Sequence, residues 1–247
     1  MTVFTVFGGH GKVALLFTKV ARESKHVVYN VIRNASHKED VEEWGGRPKI
    51  LSLEEASTDE IAGLLKETQT DTVVFSAGAG GKGGPERTKA VDYEGAVKVY
   101  DAMKLAGLRR LIMVSAIDNR DMSQPPPIHY TTADRKMSEE IHKALPTYYH
   151  YKFLADQELI RRTEDIDWTI LRPSFLTDHP SSGLIALGNI SIKQPISRET
   201  VARAILGFAS NAESQHLVID MTEGDVPITT AILAFLGRRE SSYDYPL

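Results

Sequence analysis

The sequence predicts an α/β protein with a doubly wound, mostly parallel sheet of about seven strands and helices on both faces, a Rossmann arrangement. Three observations carry this. Short β-branched runs alternate with stretches of helical periodicity, a glycine turn follows the first run directly, and the Gly/Pro-rich segments fall after strands. The candidate strands are Val3–Phe7, His26–Ile32, Lys49–Leu53, Thr72–Ser76, Arg110–Ser115, Trp168–Leu171 and Gln215–Asp220.

The first strand runs into Gly8, Gly9, His10 and Gly11, and an apolar pattern at helical spacing starts at once. Gly8, Gly11 and Ala14 satisfy a G-x-x-G-x-x-A spacing. Gly8 allows the sharp turn, Gly11 lets backbone approach a diphosphate, and Ala14 keeps the new helix close to the sheet. The amides of residues 10 to 14, including those of Lys12 and Val13, then face an anion from a helix N-terminus. At the end of the second strand, where a carboxylate would accept from ribose hydroxyls, stand Arg33 and Asn34, with Lys38 soon after. A guanidinium there pairs with a 2′-phosphate that a carboxylate would repel, so NADP(H) is the preferred cofactor and NAD(H) the alternative.

Between the third and fourth strands, Ile61, Leu64 and Leu65 share one helical face. Val97, Tyr100, Met103 and Ala106 do so on the longer segment from Glu86 to Ala106, which Gly107 should stop. The run SAGAGGKGG (76–84) is a loop at a strand's carboxyl end, and SQPPPIHY (123–130) is neither helix nor central strand. Together with the Gly/Pro/Ser-punctuated stretch 176–197, these segments should open on the ligand-binding edge. The expected organisation is one dinucleotide-binding domain over 1–247, its substrate pocket shaped mainly by 116–131 and 176–197.

Ser115 closes the fifth strand, and Tyr148 and Lys152 lie four apart on one helical face. An ammonium beside a phenol favours the tyrosinate, which suits proton exchange with a carbonyl or alcohol. Ser115 would hydrogen-bond the same oxygen. A half-buried aromatic helix gives the same spacing without catalysis, and Tyr149 and Tyr151 show how aromatic this turn is.

Composition narrows the remaining classes. The chain has 247 residues, 42% hydrophobic and 25% charged, with a net charge of -4. That balance gives no electrostatic reason to expect nucleic acid or anionic membrane as a partner. With no cysteine, disulfides, thiolate nucleophiles and Cys-based metal sites are excluded, and no metal site is expected. No basic-then-apolar leader or membrane-length run is visible, which leaves the cytoplasm as the expected location. The ending RRESSYDYPL reads as a surface tail.

The pieces FGGHGKVA, VIRN, TVVFSAGAG, VDYEGAVKVYDAMKLAGLRRLIMVSA, YYHYKFLADQELIRRTEDIDWTILRPSFLTD and ISRETVARAI follow one another in a recognisable order. Over nearly the whole chain they resemble the atypical short-chain dehydrogenase/reductases, the NAD(P)H-binding group that is NmrA-like and biliverdin/flavin reductase-like. The resemblance implies that Ala77 and Gly78 pass beside the adenine ribose, that Lys152 touches the nicotinamide ribose, and that Pro173, Ser174 and Phe175 line the nicotinamide pocket. It also implies a monomer or homodimer. Two departures stand out: Ser52 sits near where relatives carry an adenine-contacting Asp, and Ala116 follows Ser115 where they often have Ser or Thr. The expected activity is NADP(H)-dependent hydride transfer to or from a small carbonyl or planar conjugated substrate. The alternative is an NADP(H)-binding regulatory protein without turnover. A sugar-nucleotide epimerase is disfavoured, because little chain remains after Pro173 for a larger substrate domain.

Overall fold

Strand β1 (Val3–Phe7) alternates Phe4 and Val6 toward one helical layer with Phe7 toward the other, as expected of a central strand buried on both faces. The computed structural model describes residues 1–81, 83–238 and 241–242. After β1 come α1 (Lys12–Glu23), β2 (Val27–Ile32), α2 (Lys38–Glu43), β3 (Arg47–Ile50), α3 (Thr58–Glu67) and β4 (Thr72–Phe75). A helical segment follows in three parts: α4 (Gly84–Thr88), a π-helical stretch (Lys89–Glu94) and α5 (Gly95–Ala106). Gly107 ends α5 in the left-handed conformation at φ 72°, as its position in the sequence leads one to expect. Next are β5 (Arg110–Val114), α6 (Thr132–Ala144), α7 (Pro146–Ile160) and β6 (Asp167–Pro173). Short strands β7 (Leu176–Thr177), β8 (Leu184–Leu187) and β9 (Ile196–Ser197) lead to α8 (Arg198–Ala209), β10 (Leu217–Pro227) and α9 (Ile228–Arg238).

The main sheet has the order β3-β2-β1-β4-β5-β6-β10-β8. All pairs are parallel except β10 with β8. The sheet therefore has eight strands rather than seven: Leu184–Leu187, expected within an irregular segment, adds an antiparallel edge. Its four residues are too short and too closely flanked by Gly183 and Gly188 to signal a strand by periodicity. The third strand lies earlier than expected, at Arg47–Ile50. Pro48 is tolerated there because β3 is the sheet's outer strand.

Two apolar layers flank the sheet. Phe17, Ile205, Phe208 and Phe235 of α1, α8 and α9 pack on one face; Ile61, Leu65, Tyr100, Met103 and Leu159 of α3, α5 and α7 pack on the other. The chain order reverses between β1 and β4, which run parallel with Phe7 opposite Phe75 and Phe75 opposite Met113. Gly8, Ser76 and Ser115 therefore leave the sheet on one edge, at the point where open α/β sheets bind ligands. Of the terminal tail, Ser241 and Ser242 lie against β10, the Ser242 amide donating to the Val218 carbonyl at 2.7 Å. Residues 239–240 and 243–247 of that expected surface tail lie outside the described residues. No helix among the described residues is long and apolar enough to cross a membrane.

Candidate active site

The glycine turn is held by backbone. The Gly11 amide donates to the Gly8 carbonyl at 2.8 Å, and the Gly9 amide to the Val31 carbonyl at 2.9 Å. Gly8 has φ +79°, and a Cβ there would stand 2.6 Å from Ala77 Cα, so only glycine fits between the two loops. Helix α1 starts with Gly11 as its N-cap, with no side-chain cap and no acidic residue in its first turn. Its first amides are left to an external anion, which is the fit a dinucleotide diphosphate requires.

A residue that the sequence reading missed supports this turn from behind. Asn30, fully buried in β2, donates from Nδ2 to the Gly9 carbonyl at 2.8 Å and to Thr18 Oγ1 at 2.9 Å. The signal was an amide inside the apolar strand VVYNVI, since a buried amide must find partners.

A groove beside the glycine turn encloses about 580 Å³ and is lined by Gly8 to Lys12, Arg33, His37, Leu53, Ala77, Gly78 and Arg87, among others. Arg33 Nη1 and Arg87 Nε both reach Glu54 Oε1, each at 3.1 Å. Two guanidiniums are thus gathered by one carboxylate from the loop after β3. Arg87, on α4, and Glu54, on a loop, could not be chosen from sequence, because exposed charged residues are ordinarily solvated. His10 stacks on His37 at 3.7 Å between ring centroids and contacts Asp40 through Nε2 at 2.7 Å. The Asn34 side chain accepts from the Ser36 amide at 3.0 Å and so caps a short 3-10 turn; it does not line the groove.

A second, contiguous cavity of about 500 Å³ continues from Gly11–Val13 and Ser76–Gly81 to Val114, Ser115, Tyr148, Lys152 and Pro173. The three candidate catalytic residues therefore border one space with the glycine turn. Their chemistry differs from expectation. Lys152 Nζ donates to the Val114 carbonyl at 3.0 Å. The Tyr148 phenol is raised, by burial first and then by the Asp92 carboxylate, not lowered by an ammonium. Ser115 Oγ donates to Asp156 Oδ2 at 2.8 Å while Asn119 Nδ2 donates to Ser115 at 3.1 Å, so its proton is directed into the protein. Ser174 likewise donates inward, to the Gln194 carbonyl at 2.6 Å, and Phe175 is exposed.

Asp92 also lines this cavity and was not foreseen. It lies in the π-helical stretch and accepts from the Ala79 amide at 2.8 Å. Burial raises its pKa, opposed by Lys152. No spacing rule announces a π turn, although such turns recur at functional sites. Beneath Ser115 lies a buried polar layer in which Arg172 stands 3.5 Å from Asp156 and 3.9 Å from Asp220. Burial pushes Asp220 up to about 7. The segment 116–131 contributes no lining residue to either cavity. Asp118, Arg120 and Tyr130 instead form a buried cluster, with Arg120 Nε and the Tyr130 hydroxyl each 2.9 Å from Asp118 Oδ1. From 176–197 only Leu176 reaches the cavity wall.

The comparisons with known proteins agree with this geometry. A family model described as NAD(P)H-binding matches residues 8–212. UPF0659 protein C216.03 of Schizosaccharomyces pombe is 64% identical over 99% of both chains. An uncharacterised sugar epimerase of Bacillus subtilis is 29% identical over 94% of this chain and 99% of its own. Among solved structures, a protein of Bacillus halodurans described as an NAD-dependent epimerase/dehydratase aligns with TM-score 0.78 and 27% identity, covering 95% of this chain and all of that one. ChuY, an anaerobillin reductase from Escherichia coli O157:H7, shares the fold with TM-score 0.70 at 22% identity, over 91% and 98% of the two chains. Proteins of matching extent thus carry an epimerase description, so the expectation that chain length argues against that class does not stand. The chain belongs to the NAD(P)H-binding family, an oxidoreductase- and epimerase-like group, and with its yeast relative to the UPF0659 proteins.

Proposed function

We propose that the protein is an NADP(H)-dependent oxidoreductase of the atypical short-chain dehydrogenase/reductase type, reducing a small carbonyl or planar conjugated substrate. The observation that carries this reading is the continuity of the groove from the glycine turn to Tyr148 and Lys152. Gly8 to Val13 would hold the diphosphate, with Ala77 and Gly78 beside the adenine ribose. Arg33, aided by Arg87 and His37, would hold the 2′-phosphate, since paired guanidiniums bind phosphate better than a ribose hydroxyl. Pro173, Leu176 and Leu145 would wall the far end, which supports a role for 176–197 in the substrate pocket.

When bound, the dinucleotide supplies the hydride. The chain's residues supply position and a proton. At neutral pH the Tyr148 phenol carries its proton, so its role would be that of donor in reduction, with its O–H directed at the substrate oxygen; burial makes it a weaker acid than a free phenol. Lys152, buried and anchored on Val114, would hold the nicotinamide ribose through its remaining donors. Ser115 can share a proton with the substrate only by releasing Asp156, so its part is to shape the floor. We place the protein in the cytoplasm as a monomer or homodimer.

One observation favours a second reading, an NADP(H)-binding regulatory protein without turnover: the Ser115 proton is committed inward and the Tyr148 phenol is a weak acid. The two separate in one assay. NADPH absorbance is followed against quinones, flavins and small aldehydes after tight NADPH binding is established. Loss of NADPH with any of them supports the enzyme; binding without oxidation by all three classes supports the regulator.

A further inference from the structure

A charged cluster without an assigned role borders the groove where the diphosphate would lie. Asp178, one residue past β7, accepts from Lys12 Nζ at 2.6 Å through Oδ2 and from Arg198 Nη1 at 2.6 Å through Oδ1. Lys12 is the first residue of α1 and Arg198 the first residue of α8, so the cations come from distant parts of the chain. Both line the cavity shared with Gly11, Tyr148 and Lys152.

We propose that Lys12 and Arg198 form a two-cation clamp for the dinucleotide's diphosphate, and that Asp178 is an exchangeable internal anion which the diphosphate displaces. This rests on the dinucleotide reading above and adds to it a ligand from α8, outside the glycine turn.

Three features converge on it. The uncapped amides of α1 begin at Lys12, and Lys12 lines the same cavity as Gly11 at the helix start. The existing anion is a single carboxylate whose side chain is 60% exposed, and its Lys12 partner is 68% exposed. Ion pairs this exposed hold weakly, whereas a diphosphate brings more charge and more acceptor oxygens. Arg198, by contrast, is only 23% exposed and also donates to the Leu176 carbonyl, which aims its guanidinium along the groove wall. Its pairing holds Asp178 in place until the exchange. Lys12, and then Arg198, keep the Asp178 carboxyl below the usual carboxylate range, so the anion remains charged across the neutral range.

The test is a fluorescence titration of the full chain with NADPH and NADH, repeated for Arg198→Ala and Asp178→Asn, with a thermal melt confirming that each variant folds. The diphosphate is common to both cofactors, so Arg198→Ala should raise both Kd values together, by about tenfold. Asp178→Asn removes the competitor and keeps the shape, and should lower both Kd values by about threefold. If Arg198→Ala does not fold, Asp178→Asn decides alone. Unchanged binding in Arg198→Ala, a loss confined to NADPH, or binding in Asp178→Asn that is unchanged or weaker overturns the clamp. If the wild-type chain binds neither dinucleotide, the reading of the whole groove fails, and the clamp with it.

Discussion

The two halves of the groove are built on different principles. The half around the glycine turn is shaped first by backbone: a left-handed glycine, an uncapped helix start, and two loops too close for a side chain. The far half is side chains, and they are already engaged within the protein: Ser115 donates to Asp156, Lys152 donates to the Val114 carbonyl, and Asp92 accepts from the Ala79 amide. A site made of backbone has its ligand written into its shape. A site made of side chains has a role only once the partners of each are known, because the same hydroxyl or phenol can serve packing or proton transfer.

Four substitutions would break or sharpen that contrast. The largest effect on affinity belongs to Gly8→Ala: a Cβ 2.6 Å from Ala77 Cα at φ +79° cannot be relieved by a rotamer. Dinucleotide affinity should fall at least about a hundredfold by titration, and retained affinity would mean that the turn is not the diphosphate cradle. Tyr148→Phe should lower turnover about 100- to 10,000-fold and leave NADPH affinity nearly intact. Turnover at the wild-type rate would assign the phenol to packing. Arg33→Ala should weaken NADPH about tenfold while NADH is spared, since only the former carries the 2′-phosphate; equal losses would remove the basis for NADP preference.

A separate effect, on stability rather than on binding or turnover, concerns the buried layer beneath Ser115. Burial raises Asp220 to about 7, so the folded chain keeps a proton there that the unfolded chain loses near pH 4. Its stabilising share is therefore present below pH 4 and fades as pH rises toward 7. Asp220→Asn cannot ionise, so its Tm relative to wild type should climb between pH 4 and pH 8, equivalent to about 4 kcal/mol for the full shift. A pH-independent difference would show that Arg172 keeps the carboxylate ionised throughout.

Legibility in the sequence followed the same division. The strands of the parallel sheet and the glycine turn were readable because short β-branched runs and Gly spacing report backbone geometry directly. Strand β8 escaped because four residues between glycines carry no usable period. At the site, Tyr148 and Lys152 were visible as a one-turn pair, and the cavity does bring them beside Ser115. Asn30, Asp92 and Arg87 were not visible, because their positions depend on a buried amide's partners, a π turn and a loop-borne ion pair. The segment 116–131 looked like a pocket wall from its prolines, yet its Asp118, Arg120 and Tyr130 turn inward.

The most direct measurement of the central claim is a side-by-side titration of the wild-type chain with NADPH and NADH, followed by nicotinamide fluorescence. A groove that ends in Arg33 and Arg87 predicts saturable binding of both, with NADPH tighter by at least about tenfold. Equal affinities, or binding of neither, would contradict it.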